Sequence, residues 1–206
     1  MATQTSAVNS PKQDLSAAQL IQKLREAYAD ALEIARVALE NIIGELKGAG
    51  PQQQSTSAGR VGLRQGKVSE FTAIWKFAPG GAKRLKTLLT ALGGSFQGAD
   101  KVGTVHDMRF VFLDNDTKVL FCTAYDGDWD PYIDDFATKI PNEMDVVFSN
   151  LEGWPGIRSP AIKDFIAKSA LTADGWYVAS PNLTVAEEKR LEKVGTAVEE
   201  FLDKIG

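Results

Sequence analysis

From Asp14 onward, apolar residues recur at steps of three and four: Leu20, Leu24, Tyr28, Ala31, Ala35, Leu39, Ile42 and Leu46. That period draws one stripe along a helix. Ser16 and Gln19 have capping-box spacing, and Gly48, Gly50 and Pro51 stop the run. The pattern therefore predicts one amphipathic helix over 14–47, roughly 45 Å long at 1.5 Å per residue. Lys23, Arg25, Glu26, Asp30, Glu33, Arg36 and Glu40 take the opposite face. The polar, proline-containing stretch 1–13 reads as a disordered tail. Residues 48–66, rich in Gly, Gln and Ser with almost nothing to bury, read as a flexible linker.

Residues 67–206 read as one α+β domain. EFTAIWKF (70–77) predicts a strand. Leu85, Leu88, Leu89 and Leu92 predict a helix that the pair Gly93-Gly94 ends. TVHDMRFVFL (104–113) and KVLFCTAY (118–125), joined by Asp114, Asn115 and Asp116, predict a hairpin. Trp129, Tyr132, Ile133 and Phe136 share one face of the next helix, and MDVVFSNL (144–151) predicts a closing strand. The order is β-α-β-β-α-β, that of a ferredoxin-like sandwich. Such a sheet carries helices on one face. A second subunit commonly covers the other, giving a dimeric α+β barrel, and the N- and C-terminal helices compete for that role. The tail, which carries the C-terminal helices, supplies SPAIKDFIAKSAL and then GWYVAS, which predicts a short strand. Thr184 and Glu187 start a last helix, with Leu191, Val194, Val198, Phe201 and Ile205 as its stripe.

Composition narrows the function classes. The net charge is −4 and no block of five basic residues occurs, so a nucleic-acid partner is not expected. One cysteine, Cys122, and one histidine, His106, exclude an intramolecular disulfide and the multi-His and multi-Cys zinc patterns within one chain. No run of about 18 apolar residues and no signal-type segment is present. A cytoplasmic protein without a membrane span is expected, and the apolar stripe of 14–47 predicts self-association or docking of a partner, with folding back onto its own sheet as the competing solution.

If Asn115 and Asp116 form a two-residue loop, Asp114 faces Thr117, His106 falls opposite Tyr125, and Arg109 falls opposite Cys122. His106, Met108, Phe110, Phe112, Val119, Phe121, Thr123 and Tyr125 then share one face. Asp107, Arg109, Val111, Leu120, Cys122 and Ala124 share the other. That separation speaks against a Cys122-His106 nucleophilic pair. His106 with Tyr125 suits proton transfer or, by elimination, axial heme ligation; the competing reading is a hydrogen-bonded structural histidine. Asp107 and Arg109 suit either a ligand anchor or a plain ion pair. Asp126, Asp128 and Asp130 begin like a calcium loop, but Pro131 stands where glycine is needed and Ala137 where a bidentate glutamate is needed. They read instead as a turn and a helix N-cap, and APGG (78–81) reads as a turn at a helix start.

GTVHDMRFVFL, LFCTAYDGDWDPYIDDF and VFSNLEGWPG resemble bacterial proteins of the dimeric α+β barrel superfamily that are grouped with peroxidase-like sequences. The likeness spans about 68–180. It implies a small-molecule-binding barrel, with heme-dependent peroxidase-like oxidoreductase activity as one expectation. His106, Arg109 and Tyr125 are its catalytic candidates, His106 and Asn150 its cofactor-binding candidates, heme the cofactor, and a small hydrophobic or aromatic molecule the ligand. Heme-binding barrels of this kind take their iron ligand from a helix, whereas His106 is on a predicted strand. Two other classes stand beside it: a non-catalytic scaffold or oligomerising binding protein, and a cofactor-free monooxygenase-like enzyme.

Overall fold

The structure, a computed structural model, describes residues 16–46, 55–94 and 96–205. The expected tail at 1–13, residues 14, 15 and 47 of the expected helix, and residues 48–54 of the expected linker lie outside these. The chain divides into two compact units, one before and one after Gln52/Gln53.

The first unit is a helical hairpin, α1 (Ala17–Ala27) and α2 (Glu33–Leu46). The capping box forms as expected: Ser16 Oγ accepts from the Gln19 N–H and Gln19 Oε1 from the Ser16 N–H. The single helix expected over 14–47 is instead broken at residues 28–32. There Ala29 and Ala31 donate to carbonyls three residues back, tightening and ending the α-helical ladder. Arg25 then reaches Glu40 through two nitrogens at 2.8 and 2.7 Å, a bidentate clasp between the two helices. Neither Gly nor Pro marks the break, and the apolar phase runs straight through it.

The second unit contains β1 (Thr56–Ser57), β2 (Leu63–Gln65), β3 (Val68–Lys76), α3 (Gly81–Ala91), β4 (Val105–Leu113), β5 (Lys118–Asp126), α4 (Trp129–Lys139), α5 (Pro141–Phe148), α6 (Ile162–Ala167), β6 (Ala170–Leu171) and α7 (Val185–Ile205). Its antiparallel sheet runs β1-β2-β3-β5-β4, with β6 also on β3. Residues 55–66, expected as linker, thus supply two strands. Long pairings of β3 with β5 and of β5 with β4 form the centre. The hairpin register is the expected one from Leu113↔Lys118 to Asp107↔Ala124, Arg109↔Cys122 included. At its tip Asp114, Asn115 and Asp116 have φ of 51°, 52° and 65°, the left-handed region that Asn and Asp tolerate best among residues with a Cβ.

The closing strand expected at 144–151 is a correction: this segment is α5 followed by a turn. Pro141 begins the helix, a position that needs no N–H. Met144, Val147, Phe148 and Leu151 are buried at helical spacing while Val146 is 55% exposed. The β-branched pair Val146-Val147 suggested a strand, but the periodicity of burial is that of a helix. The free edge of β3 is instead covered in relay by three short pieces. Arg64 pairs with Ser69, Leu171 with Thr72, and Leu151 with Phe77. GWYVAS also forms no strand, and its Tyr177 is 84% exposed.

The core lies between one sheet face and α3–α6. Phe71, Ala73 and Trp75 of β3 and Val119, Phe121, Thr123 and Tyr125 of β5 are all at most 5% exposed. They pack with Leu85, Trp129, Phe136, Met144, Phe148 and Ile166 from the helices. On the other face Thr72, Ile74, Leu120, Cys122 and Ala124 are half-buried, and Arg109 and Val111 are exposed.

Candidate functional site

His106 sits where the hairpin register slips: Val105 pairs with Tyr125 and Asp107 with Ala124, leaving His106 as the bulged residue. Such a bulge re-aims a side chain. The expected His106/Tyr125 opposition is therefore replaced by Val105/Tyr125. The imidazole Nε2 lies 2.7 Å from Asp126 Oδ1, and Nδ1 lies 3.2 Å from Glu188 Oε2. A neutral imidazole donates to one of these carboxylates; an imidazolium donates to both. Asp126 Oδ2 also accepts the Val185 N–H at 3.1 Å, at the start of α7, where carboxylates offset the helix dipole. Beside it Thr184 and Glu187 form the expected capping box, and Lys67 grips Glu187 at 2.7 Å. These bonds draw the Glu187 carboxyl down to about 2, Lys67 first and the Thr184 amide and hydroxyl next. His106 is thus a latch fastening α7 to the sheet.

Tyr125 points the other way, into the core. It is fully buried and stacks on Tyr132 with ring centroids 3.8 Å apart. Burial pushes both phenols well above the ordinary tyrosine range, and for Tyr125 the neighbouring Tyr132 and carboxylates add to it. Tyr132 bonds Thr123 at 2.9 Å. Among the described residues the Tyr125 hydroxyl has no hydrogen-bond partner; Ser69, the one group that would draw its pKa down, donates its own proton to the Gly127 carbonyl.

Arg109 is exposed on the opposite face and pairs with Asp107 at 2.9 Å. Asn150 is buried, and both ends of its amide are used: Oδ1 accepts from Arg84 Nε at 2.9 Å, while Nδ2 donates to the Val146 and Val147 carbonyls. Its carbonyl also accepts the Ala78 N–H, and a Cβ at Gly81 would come within 2.2 Å of that oxygen. Asn150 therefore ties the end of α5 to the start of α3, and APGG needs Gly81 because the Asn150 backbone passes against it, and Gly80 because its φ is 72°.

Thus His106, Tyr125, Arg109 and Asn150 do not converge. Asp126, Asp128 and Asp130 diverge too, toward His106, Arg64 and Lys163 respectively. Among the described residues no group of three or more His, Cys, Asp or Glu is placed to hold a metal ion. Cys122 lies away from the His106 latch, beside Thr72. The single Thr72 hydroxyl proton has a better acceptor in Glu70 at 3.3 Å than in Cys122 Sγ at 3.9 Å. The sequence reading passed over Glu70, whose buried carboxylate takes the Leu63 N–H at 3.0 Å; its signal was an acid within the apolar run EFTAIW. The free space among Phe71, Trp75, Phe121, Phe148 and Trp154 is about 20 Å³, room for about one water. A wider, solvent-open groove of about 390 Å³ lies at the hairpin tip between Lys76, Gly80 and Lys118. No helix among the described residues is long and apolar enough to cross a membrane. No family model and no curated protein matches the chain.

Proposed function

We propose that this protein is a binding module that works by self-association rather than catalysis, its open sheet face covered by the same face of a second copy. The observation that carries this reading is the contrast on β5. Residues facing α3–α6 are sealed, whereas Leu120, Cys122 and Ala124, with Ile74 and Val111 beside them, are left half-covered or exposed. A half-apolar sheet face on the side away from α3–α6 is what a dimeric α+β barrel buries between subunits. The element order β3-α3-β4-β5-α4 and the strand order β3-β5-β4 support a ferredoxin-like arrangement, with the relay of β2, β6 and Leu151 in place of a fourth strand.

Heme does not fit the residues that would hold it. Both His106 ring nitrogens face carboxylates, both ends of the Asn150 amide are bonded, and the aromatic interior has space for about one water. A cofactor-free oxygenase site in that layer meets the same shortage of room. The test is the mass of the full chain by light scattering beside that of Leu120→Glu, with a hemin titration followed in the visible. Self-association predicts a mass above one chain that Leu120→Glu lowers, and no stoichiometric Soret shift. A monomer at all concentrations, or a saturable heme spectrum lost in His106→Ala, would overturn the reading.

A further inference from the structure

The contacts that hold α7 to its unit gather at its start. Val185 is buried, Asp126 accepts the Val185 N–H, Lys67 grips Glu187, His106 reaches Glu188, and Lys189 pairs with Asp100 at 3.0 Å. From Lys189 to Ile205 every residue is exposed. That is roughly 25 Å of helix at 1.5 Å per residue, a length at which an isolated helix is marginal in water. Its order therefore depends on that first turn.

Among these contacts the one at His106 depends on a proton. Its ring lies between two carboxylates, Nε2 at 2.7 Å from Asp126 and Nδ1 at 3.2 Å from Glu188. A ring with one N–H can serve only one of them. Asp126 keeps it: its contact is the shorter, its side chain is 11% exposed against 39% for Glu188, and its other oxygen is fixed by the Val185 N–H. The neutral ring then turns the lone pair of Nδ1 toward Glu188 Oε2, acceptor against acceptor, whereas an imidazolium donates to both. The other charges along α7 and β4 at this point are paired, Glu187 with Lys67, Lys189 with Asp100 and Asp107 with Arg109. Asp126 from β5 and Glu188 from α7 are thus the groups that meet the charge of the ring.

We propose that His106 is a proton-operated latch: the imidazolium ties Asp126 to Glu188, and loss of the Nδ1 proton to solvent releases Glu188 and loosens the first turn of α7. Histidine changes charge between about pH 5 and 8. The Glu188 contact is therefore made at the acid end of that range and lost as pH rises. Glu187, drawn down to about 2 by Lys67, stays ionised throughout it, so its clamp does not change while the latch opens. The two devices respond in separate windows and in opposite senses. Every partner belongs to one chain, so the latch does not rest on self-association.

His106 is the single histidine of the chain, so its ring proton on Cε1 is the one histidine signal of the protein. The test follows that signal and the Glu188 and Lys189 amides of the full chain by NMR from pH 5 to 8, at one protein concentration, beside Glu188→Gln and Glu188→Ala. In the parent protein the two amides should shift with the same midpoint as the ring. Their protection, as exchange relative to the intrinsic rate at each pH, should fall about threefold toward the alkaline end, the effect of one exposed hydrogen bond. Glu188→Gln should keep the contact in both states, because its amide N–H can donate to the bare Nδ1 and its carbonyl can accept from the protonated ring. The ring should then still titrate while the protection stays level. Glu188→Ala, with no contact to lose, should hold the protection at the alkaline level throughout. Amides that stay still while the ring titrates would overturn the proposal, and so would a fall in protection in Glu188→Gln equal to that of the parent.

Discussion

Strand β5 presents two faces built by the same nine residues under different constraints. Val119, Phe121, Thr123 and Tyr125 are sealed under the helices, while Leu120, Cys122 and Ala124 alternate with them half-covered. The inner face is aromatic and closely packed: Phe121 contacts the rings of Phe71, Trp75, Phe110 and Phe148 at centroid distances of 5.1–6.3 Å. The outer face beside it is small or aliphatic, and Leu120, Cys122 and Ala124 there are half-buried. One face therefore makes the fold; on the other Val68 and Glu70 are buried at one end, while Ile74, Leu120, Cys122 and Ala124 are only half-covered. This division also explains why the polar candidates fail to gather: His106 and Asp126 fasten α7, Asn150 fastens α3 to α5, and Tyr125 belongs to the packed face.

The contrast breaks most directly by truncation. Phe121→Ala should cost about 3–5 kcal/mol in urea unfolding at fixed protein concentration, the usual range for a buried aromatic. Measured at a concentration where the chain is dissociated, Leu120→Ala should cost about 1 kcal/mol, as less surface is removed from contact within one chain. Equal losses would mean that both faces are equally packed within one chain. Asn150→Ala should follow, at about 2–3 kcal/mol, because it strands Arg84 Nε and the two carbonyls served by Nδ2. If its unfolding matches the parent protein, the tie between α3 and α5 is dispensable. Thr123→Val should cost about 1–3 kcal/mol by leaving the buried Tyr132 hydroxyl without its partner, measured against Thr72→Val on the outer face, which should cost less.

The smallest effect concerns pH. Glu187 has a folded pKa lowered from 4.5 to about 2, chiefly by Lys67. A lowered carboxylate pKa contributes stability that is present above pH 4.5 and lost as pH falls toward about 2. Protection of the Thr184 and Glu187 amides, as exchange relative to the intrinsic rate at each pH, should therefore fall over that window, and Glu187→Gln should flatten the response. An unchanged profile in Glu187→Gln would contradict the clamp.

Much of the fold was legible where periodicity and turn chemistry agreed. The register of β4 on β5 followed from Asp114–Asp116, the buried face of α4 from Trp129, Tyr132, Ile133 and Phe136, and both capping boxes from their spacing. Segment 141–151 misled because Val146-Val147 favours a strand locally, while its burial follows Met144, Val147, Phe148 and Leu151. The break at residues 28–32 was hidden because the stripe keeps its phase through it. Strands β1 and β2 escaped notice because an edge strand of two or three residues needs backbone pairing, not an apolar pattern. The site was less legible. The resemblance offered His106, Arg109, Tyr125 and Asn150, but the bulge at His106 and its partners Asp126 and Glu188 depend on contacts that no local pattern announces.

The central claim is that a second copy covers the outer face, and Cys122 reports on it because it is the single cysteine of the chain and lies half-buried on that face. The decisive measurement is the alkylation rate of Cys122 across protein concentration. The rate should be slow in concentrated solution and rise several-fold on dilution, and Leu120→Glu should hold it at the fast limit throughout. A rate independent of concentration, and unchanged by Leu120→Glu, would contradict the account.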